Sequence, residues 1–336
     1  MNNEINNNID KMNCLIELHI HLDGALSIAN CKQLAQIQNI DIPKDDNTII
    51  NMMTVSPNCK NLNEFLTKFE FAISLLQTPE GITNSIKNLQ AELIKQGIIY
   101  AEIRFAPQLH TKKGLNQEEV VKAAIEGLQY SKLHSNLILC CMRDSKNHKD
   151  NIETIEIAKK YLGKGVCAVD LAGAEGLYPT KNFEDIFEYA KKLNVPFTIH
   201  AGEADGPNSV KEAIHFGAKR IGHGVRASED TELIKTIAKE EITLEICPTS
   251  NICTSIYEKI SDMPIKKFIN NGVKITICTD DPTVCNTNLK NEIKLIANTF
   301  NLSYDDIIKL QLNAIHASFA DQNIKNEIIE KLLHNN

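Results

Sequence analysis

The feature that most constrains this 336-residue chain is a strict alternation: short β-branched, apolar runs separated by longer stretches of helical period. The runs that read as strands are Leu15–His21, Ile98–Phe105, Leu137–Arg143, Val166–Leu171, Phe197–His200, Arg220–His223, Thr243–Cys247 and Lys274–Thr279. Helical patterns lie between them, among them Glu118–Ser131, Ile152–Tyr161, Phe183–Leu193 and Val210–Phe216. Alternation of this kind calls for parallel strands joined by helical crossovers, and eight of them are what a closed (β/α)8 TIM barrel needs. A doubly wound sheet is the alternative, but no glycine-rich turn follows an early strand. The connection from Leu26 to Gly97 is too long for one crossover helix, so extra helices are expected between strands 1 and 2. A further pair, Tyr304–Phe319 and Gln322–Leu333, is expected after strand 8. Residues 1–11, rich in Asn, read as a disordered tail, and 12–336 as one domain.

The formal net charge is −7, with no long block of Lys or Arg, which argues against polymeric nucleic acid as a partner. No C-x-x-C pair occurs among the ten cysteines, and several, such as Cys140, Cys141, Cys167, Cys247 and Cys278, fall in apolar runs and read as small buried hydrophobes. The N-terminus has no apolar core of a secretory signal and no segment is long enough to span a membrane, so a cytoplasmic protein is expected. Oligomeric state cannot be read from these features.

Ionisable residues gather where the expected strands end, which is the face on which a barrel builds its active site. Strand 1 ends His19-Ile20-His21-Leu22-Asp23-Gly24, and strand alternation puts both imidazoles on one face. Taken alone such a pair fits a surface or core position as well as a metal. Strand 5 ends at His200, followed by Ala201, Gly202 and Glu203; strand 6 ends Gly222-His223-Gly224; strand 8 ends Thr279-Asp280-Asp281-Pro282. Adjacent carboxylates are costly to bury unless a metal or hydrogen bonds hold them, although a helix cap would look the same. Together His19, His21, His200 and Asp280 make a three-nitrogen, one-oxygen set suited to zinc, one ion per chain, with room for a water. Glu203 and His223 remain for proton transfer and water orientation, and Asp281 for substrate. Within the long first connection, Leu62, Phe65, Leu66 and Phe69 fall at helical spacing, either a core stripe or a lid over the barrel mouth.

Segments Glu17–Leu26, Ala101–His110, Val169–Glu175, Ile199–Val210, Arg220–Arg226, Glu245–Asn251 and Ile277–Pro282 resemble the adenosine deaminase family, in the family's order and over nearly the whole chain. The resemblance implies hydrolytic deamination of adenosine and 2′-deoxyadenosine to the inosine products and ammonia, a purine-salvage reaction. It implies zinc on His19, His21, His200 and Asp280, Glu203 as the proton donor to purine N1, and His223 as the residue that, with Asp280, orients the attacking oxygen toward C6. Asp281 would bond N7, the Gly173 backbone would meet the far edge of the ring, and Asp23 the ribose 5′-hydroxyl. The stripe Leu62, Phe65, Leu66, Phe69 matches the family's substrate-covering helix, and Asp170 is a candidate partner of the metal site. Ala174 stands where the family often has an acidic residue. A related aminopurine such as adenine or an N6-substituted AMP is the alternative substrate. A cytidine-deaminase arrangement is missing, a binuclear barrel would carry a Lys where Asp170 stands, and a non-catalytic nucleoside-binding relative would have lost a residue that this chain keeps.

Overall fold

A computed structural model describes residues 2–56 and 59–334. Eight parallel strands form two four-stranded sheets in sequential order: β1 Leu15–His21, β2 Ile98–Phe105, β3 His134–Met142 and β4 Val166–Ala172 in one, β5 Thr198–Ala201, β6 Arg220–His223, β7 Thr243–Ile246 and β8 Lys274–Ile277 in the other. Single bridges join the sheets at both seams. Val169 pairs with Phe197 between β4 and β5, and Ile20 pairs with Asp280 just past β8. At the second seam His21 N–H donates to Asp280 O at 2.8 Å and Asp280 N–H to His19 O at 2.8 Å. The ring therefore closes at the very residues that the sequence marks as a site.

Helices cover the outside, as parallel strands require. The crossovers include Gln117–Leu128, started by a capping box of Asn116 and Glu119, then His148–Tyr161, Glu184–Lys192, Pro207–Phe216 and Thr231–Lys239. Between β1 and β2 the long connection holds Ile28–Gln38, Asp46–Met53, Leu62–Leu66, Glu70–Leu75 and Pro79–Lys95. Leu289–Phe300, Tyr304–Ala317 and Gln322–His334 follow β8. The expected strands are found with ends displaced by up to three residues.

The expected tail is corrected. Of residues 1–11, residue 1 lies outside the described residues, and Asn2–Lys11 is a helix. Asn has poor helix propensity, but tertiary packing outweighs it: Ile9 is buried, and Asp10 accepts from Lys290 (2.7 Å, backbone) and Lys294 (2.5 Å, side chain) on Leu289–Phe300.

Inside the ring, alternation points even-numbered residues of β2 to β6 at the axis, and many of them are charged. Arg104 bonds Asp170 (2.9 Å) and Glu245 (2.8 Å); Arg220 bonds Glu245 (2.6 Å) and Glu102, all fully or almost fully buried. Burial alone would neutralise such groups, but mutual pairing holds both guanidiniums above their ordinary value and Glu245 well below the carboxylate range. This network forms the floor of the site.

Candidate active site

His19 and His21 leave β1 on the same face, and each enters a crowded polar cluster. His19 Nε2 lies 3.0 Å from His200 Nε2 and 3.0 Å from Asp280 Oδ1; His21 Nε2 lies 3.2 Å from His200 Nε2 and 3.3 Å from the same Asp280 oxygen. Three ring nitrogens and a carboxylate oxygen converge on one point at these distances, more closely than a pairwise hydrogen-bond network requires. Ligands about 2.0–2.1 Å from one tetrahedral ion are about 3.3 Å apart, so the spacing and the mixture of imidazole and carboxylate fit a divalent metal.

The outer nitrogens explain the inward lone pairs. His19 Nδ1 bonds Glu245 Oε2 at 2.8 Å, and His200 Nδ1 stands 2.9 Å from Asp170 Oδ2, in a bent contact. A proton kept at Nδ1 by a carboxylate leaves Nε2 free to ligate. Burial pulls His200 down to about 3 in spite of Asp170, and burial with the Arg104 charge lowers His19, so both rings are neutral near pH 7. Burial opposes ionisation of Asp280, but His19, His21 and His223 hold it well below the usual range.

His223 also approaches the cluster, and a group of His19, His200, His223 and Asp280 can be drawn with all ligand atoms within 4.8 Å. The shorter distances favour His21 as the third imidazole, since His223 Nε2 stays 3.7 Å from Asp280 Oδ2 and 3.8 Å from Glu203 Oε2. Its Nδ1 is 3.2 Å from the Asn251 amide nitrogen, and Nε2 is buried without a hydrogen bond, aimed at the space above the cluster. That is the place of a group that acts on a bound oxygen.

Two of these side chains reach the site through unusual backbone. His223 has φ 59° and Asp280 φ 61°, the left-handed region that non-glycine residues rarely enter. By strand alternation His223 would face away from Gly222 and Arg220; the positive φ breaks that alternation and turns its ring to within 5.2 Å of the His19 ring. Gly222 leaves room for this crowding, because a Cβ there would lie 3.0 Å from His19 and 3.3 Å from His200.

Carboxyl groups line the rest of the pocket. Burial pushes Glu203 up to about 7, with His223 opposing and Asp280 and Glu175 adding. Burial, Asp280 and Asp23 lift Asp281 well above its ordinary value, and its Oδ1 has no partner. Asp281 packs on Gly24, where a Cβ would overlap the carboxylate, which explains the glycine after Asp23. The pocket is lined by His21, Asp23, Gly173, His200, Glu203, His223, Asp280 and Asp281 on its polar side, and by Leu62, Phe65, Leu66, Phe69, Ile73, Leu109 and Met142 on its apolar side. Of the metal-binding, catalytic and substrate-binding residues expected from the sequence, all but His19 line this cavity, and His19 stands behind it with its Nε2 3.0 Å from His200 Nε2. Leu62–Leu66 and the 3₁₀ turn Thr67–Phe69 cover the mouth, seated on Val284 and Cys285.

Against this geometry, the family model for adenosine deaminase matches residues 14–335. The chain belongs to the adenosine deaminase family. It is 44% identical over 324 residues to an adenosine deaminase of Haemophilus ducreyi, covering 94% of both chains, and 38% identical over 335 residues to one of Clostridium kluyveri, covering 97% of this chain and 96% of the relative. Among solved structures, an adenine deaminase from Arthrobacter aurescens superposes with a TM-score of 0.85 at 24% identity, covering 96% and 98% of the two chains, and shows the shared fold. An Arabidopsis N6-mAMP deaminase gives 0.86 at 25% identity, covering 98% and 99%. As a member of this family the chain is a hydrolytic deaminase of the metal-dependent kind.

Sequence reasoning missed several residues that shape this deaminase site. Glu245 and Arg104 lie within their strands and Arg220 opens β6, where an isolated charge looks like any other. Ser250 donates to Asp280 Oδ2 at 2.7 Å, and Asn251 meets His223; both lie in Glu245–Asn251, quoted for its resemblance but assigned no role. The signal available was the parity of charged residues within β2, β4, β6 and β7, which puts them all on the barrel axis.

Proposed function

We propose that this chain converts adenosine, and 2′-deoxyadenosine, to the corresponding inosine and ammonia, with a zinc ion held by His19, His21, His200 and Asp280. The observation that carries this reading is the convergence of three imidazoles and Asp280 at the foot of a pocket whose carboxyl groups Glu203 and Asp281 are pushed up by burial toward their protonated forms. Adenine offers only acceptors at N1, N3 and N7, so its recognition needs donors. Glu203 supplies a proton to N1, Asp281 donates to N7, and the backbone of Gly173, which lines the pocket, would meet the far edge of the ring. Protonation at N1 draws electron density from C6 and makes that carbon the electrophile. His223 orients the attacking oxygen, and its neighbour Asn251 fixes the ring. Bound at this donor set, zinc supplies a Lewis acid that brings the pKa of a water to about 7. The lid residues Leu62, Phe65, Leu66 and Phe69 exclude bulk water.

Nucleosides are favoured over nucleotides. No Lys or Arg is among the described residues lining the pocket, whereas Asp23 is. A 5′-phosphate would meet the Asp23 carboxylate with no Lys or Arg of the lining to balance it, while Asp23 can accept from a 5′-hydroxyl. The reaction fits purine salvage, and a cytoplasmic location is consistent with the absence, among the described residues, of a helix able to cross a membrane.

The test is the ultraviolet absorbance change of adenosine, adenine and AMP with purified zinc-loaded protein. Turnover of adenosine alone is expected. Turnover of AMP or adenine in its place would overturn the substrate assignment, and no turnover of any would overturn the deaminase reading.

A further inference from the structure

The loop after β5 has to present Glu203 to the substrate, yet its backbone pairs with no strand. Gly202, Glu203, Ala204 and Asp205 send four successive N–H groups inward, and all four end on one carboxylate, that of Glu175. Oε1 accepts from Gly202 (2.7 Å) and from the hydroxyl of Ser209 (2.5 Å); Oε2 accepts from Glu203 (3.0 Å), Ala204 (2.7 Å) and Asp205 (2.9 Å). Consecutive amides curled in this way make an anion-binding concavity, and here the anion is part of the chain. Glu175 is 1% exposed, so all five contacts are made out of water.

The loop needs such a fixture. Gly202 has φ 70°, and a Cβ there would overlap Val210, so the path is open only to glycine and is not held by ordinary strand geometry. On the strand side, Arg143 bonds the carbonyl of His200 at 2.6 Å and that of Tyr178 at 2.7 Å, the latter in the same turn as Glu175. The guanidinium therefore holds the residue before the loop while the carboxylate holds the loop itself. His200 is secured without Glu175, by Arg143 and Asp170.

We propose that Glu175 is the positioning residue for Glu203: it gathers the 202–205 amides so that the Glu203 side chain is aimed at the purine ring rather than free to swing. The proposal rests on the reading of Glu203 as the proton donor. Its negative charge also faces Glu203 and supports the protonated form of that acid. Replacing Glu175 with Gln keeps the shape but turns one acceptor oxygen into an NH2 that confronts amide donors. The donor set for the metal should survive, while Glu203 loses its aim.

The experiment compares the zinc-loaded wild type with Glu175→Gln, Glu203→Gln and the double variant, measuring kcat, KM for adenosine and zinc per chain. A misplacement of about 1 Å at a reacting group costs on the order of 100-fold, so Glu175→Gln is expected to lower kcat about 10- to 100-fold. KM should stay within about threefold and zinc should remain stoichiometric. On the Glu203→Gln background the same change should cost less than about twofold, because a residue acting only through Glu203 has nothing left to position. A full, multiplicative loss in both backgrounds, or loss of zinc, would overturn the proposal and make Glu175 a general structural acid. If Glu175→Gln does not fold, Ser209→Ala, which removes one of the five contacts, carries the same comparison: a fall in kcat of a few fold that vanishes in the Glu203→Gln background supports the proposal, and an equal fall in both overturns it. A Glu203→Gln enzyme with wild-type turnover would instead overturn the proton-donor reading itself.

Discussion

Replacing Glu245 with Gln removes one negative charge from the barrel floor and tests whether that floor holds the metal site. The wild-type carboxylate accepts from His19 Nδ1 (2.8 Å), Arg104 Nη2 (2.8 Å), Arg220 Nε (2.6 Å) and Thr198 Oγ1 (3.1 Å), and none of these groups is more than 1% exposed. A glutamine can still accept on one oxygen, but its NH2 points hydrogens at two of these donors, and of the four Arg104 Nη2 keeps the Leu18 carbonyl at 2.6 Å as a second acceptor. Breaking a buried ion pair by removing one partner costs about 3–5 kcal/mol. Unfolding entropy of about 2.1 cal/mol/K per residue gives about 0.7 kcal/mol/K for a chain of this length, so the melting temperature should fall by about 4–7 °C. His19 would also lose the partner that keeps its proton on Nδ1, which lowers metal affinity by about 10- to 100-fold. Thermal melts of the metal-free protein and competition for zinc against a chelator of known affinity measure the two effects separately. A melting temperature within about 1 °C of wild type, together with unchanged zinc affinity, would refute the reasoning.

The two candidate third imidazoles can be told apart: His21→Ala should lose zinc and turnover together, whereas His223→Ala should keep stoichiometric zinc and lose about 100-fold or more in kcat. Zinc lost from the second variant and kept by the first would reverse the assignment. Gly24→Ala should displace Asp281 and cut kcat/KM for adenosine by at least about tenfold with metal retained, a loss equivalent to about 1.4 kcal/mol of transition-state binding; wild-type kinetics would show that Asp281 makes no productive contact. Asp23→Asn removes the charge nearest a 5′-phosphate and should raise the ratio of AMP to adenosine turnover; an unchanged ratio would remove Asp23 as the discriminating residue. With Glu203 as the proposed proton donor, its protonated form is the one that acts, and kcat/KM should fall as pH rises through its titration. Burial places that near 7 without metal, and the positive charge of a bound ion moves it lower, so a profile flat from about pH 6 to 9 would contradict the proton-donor role.

Much of the site was legible because its signals are local. Strand alternation alone places His19 and His21 on one face, and the position of His200 and Asp280 at strand ends follows from where the apolar runs stop. The lid stripe was visible as a helical period, but only the cavity decides between lid and core, since Leu62, Phe65 and Phe69 are buried and still line the pocket. The N-terminal helix was misread for the opposite reason: its composition argues against helix, and the contacts of Asp10 that anchor it come from residues about 280 positions away.

By itself, then, the sequence determined the alternation that builds the barrel, the residue types of the donor set and the order in which they arrive, because each depends on neighbours a few positions apart. Tertiary structure decided that His21 Nε2 lies 3.2 Å from His200 Nε2 while His223 Nε2 stays 3.7 Å from Asp280, through left-handed backbone at His223 and Asp280 that no propensity announces. It also decided that Glu245, Arg104 and Asp170 brace His19 and His200, and that the Glu175 carboxylate gathers the amides of the loop carrying Glu203. Those roles depend on groups up to 226 residues apart meeting in a dry interior, where an unpaired charge is too costly to persist and every partner must be found in three dimensions.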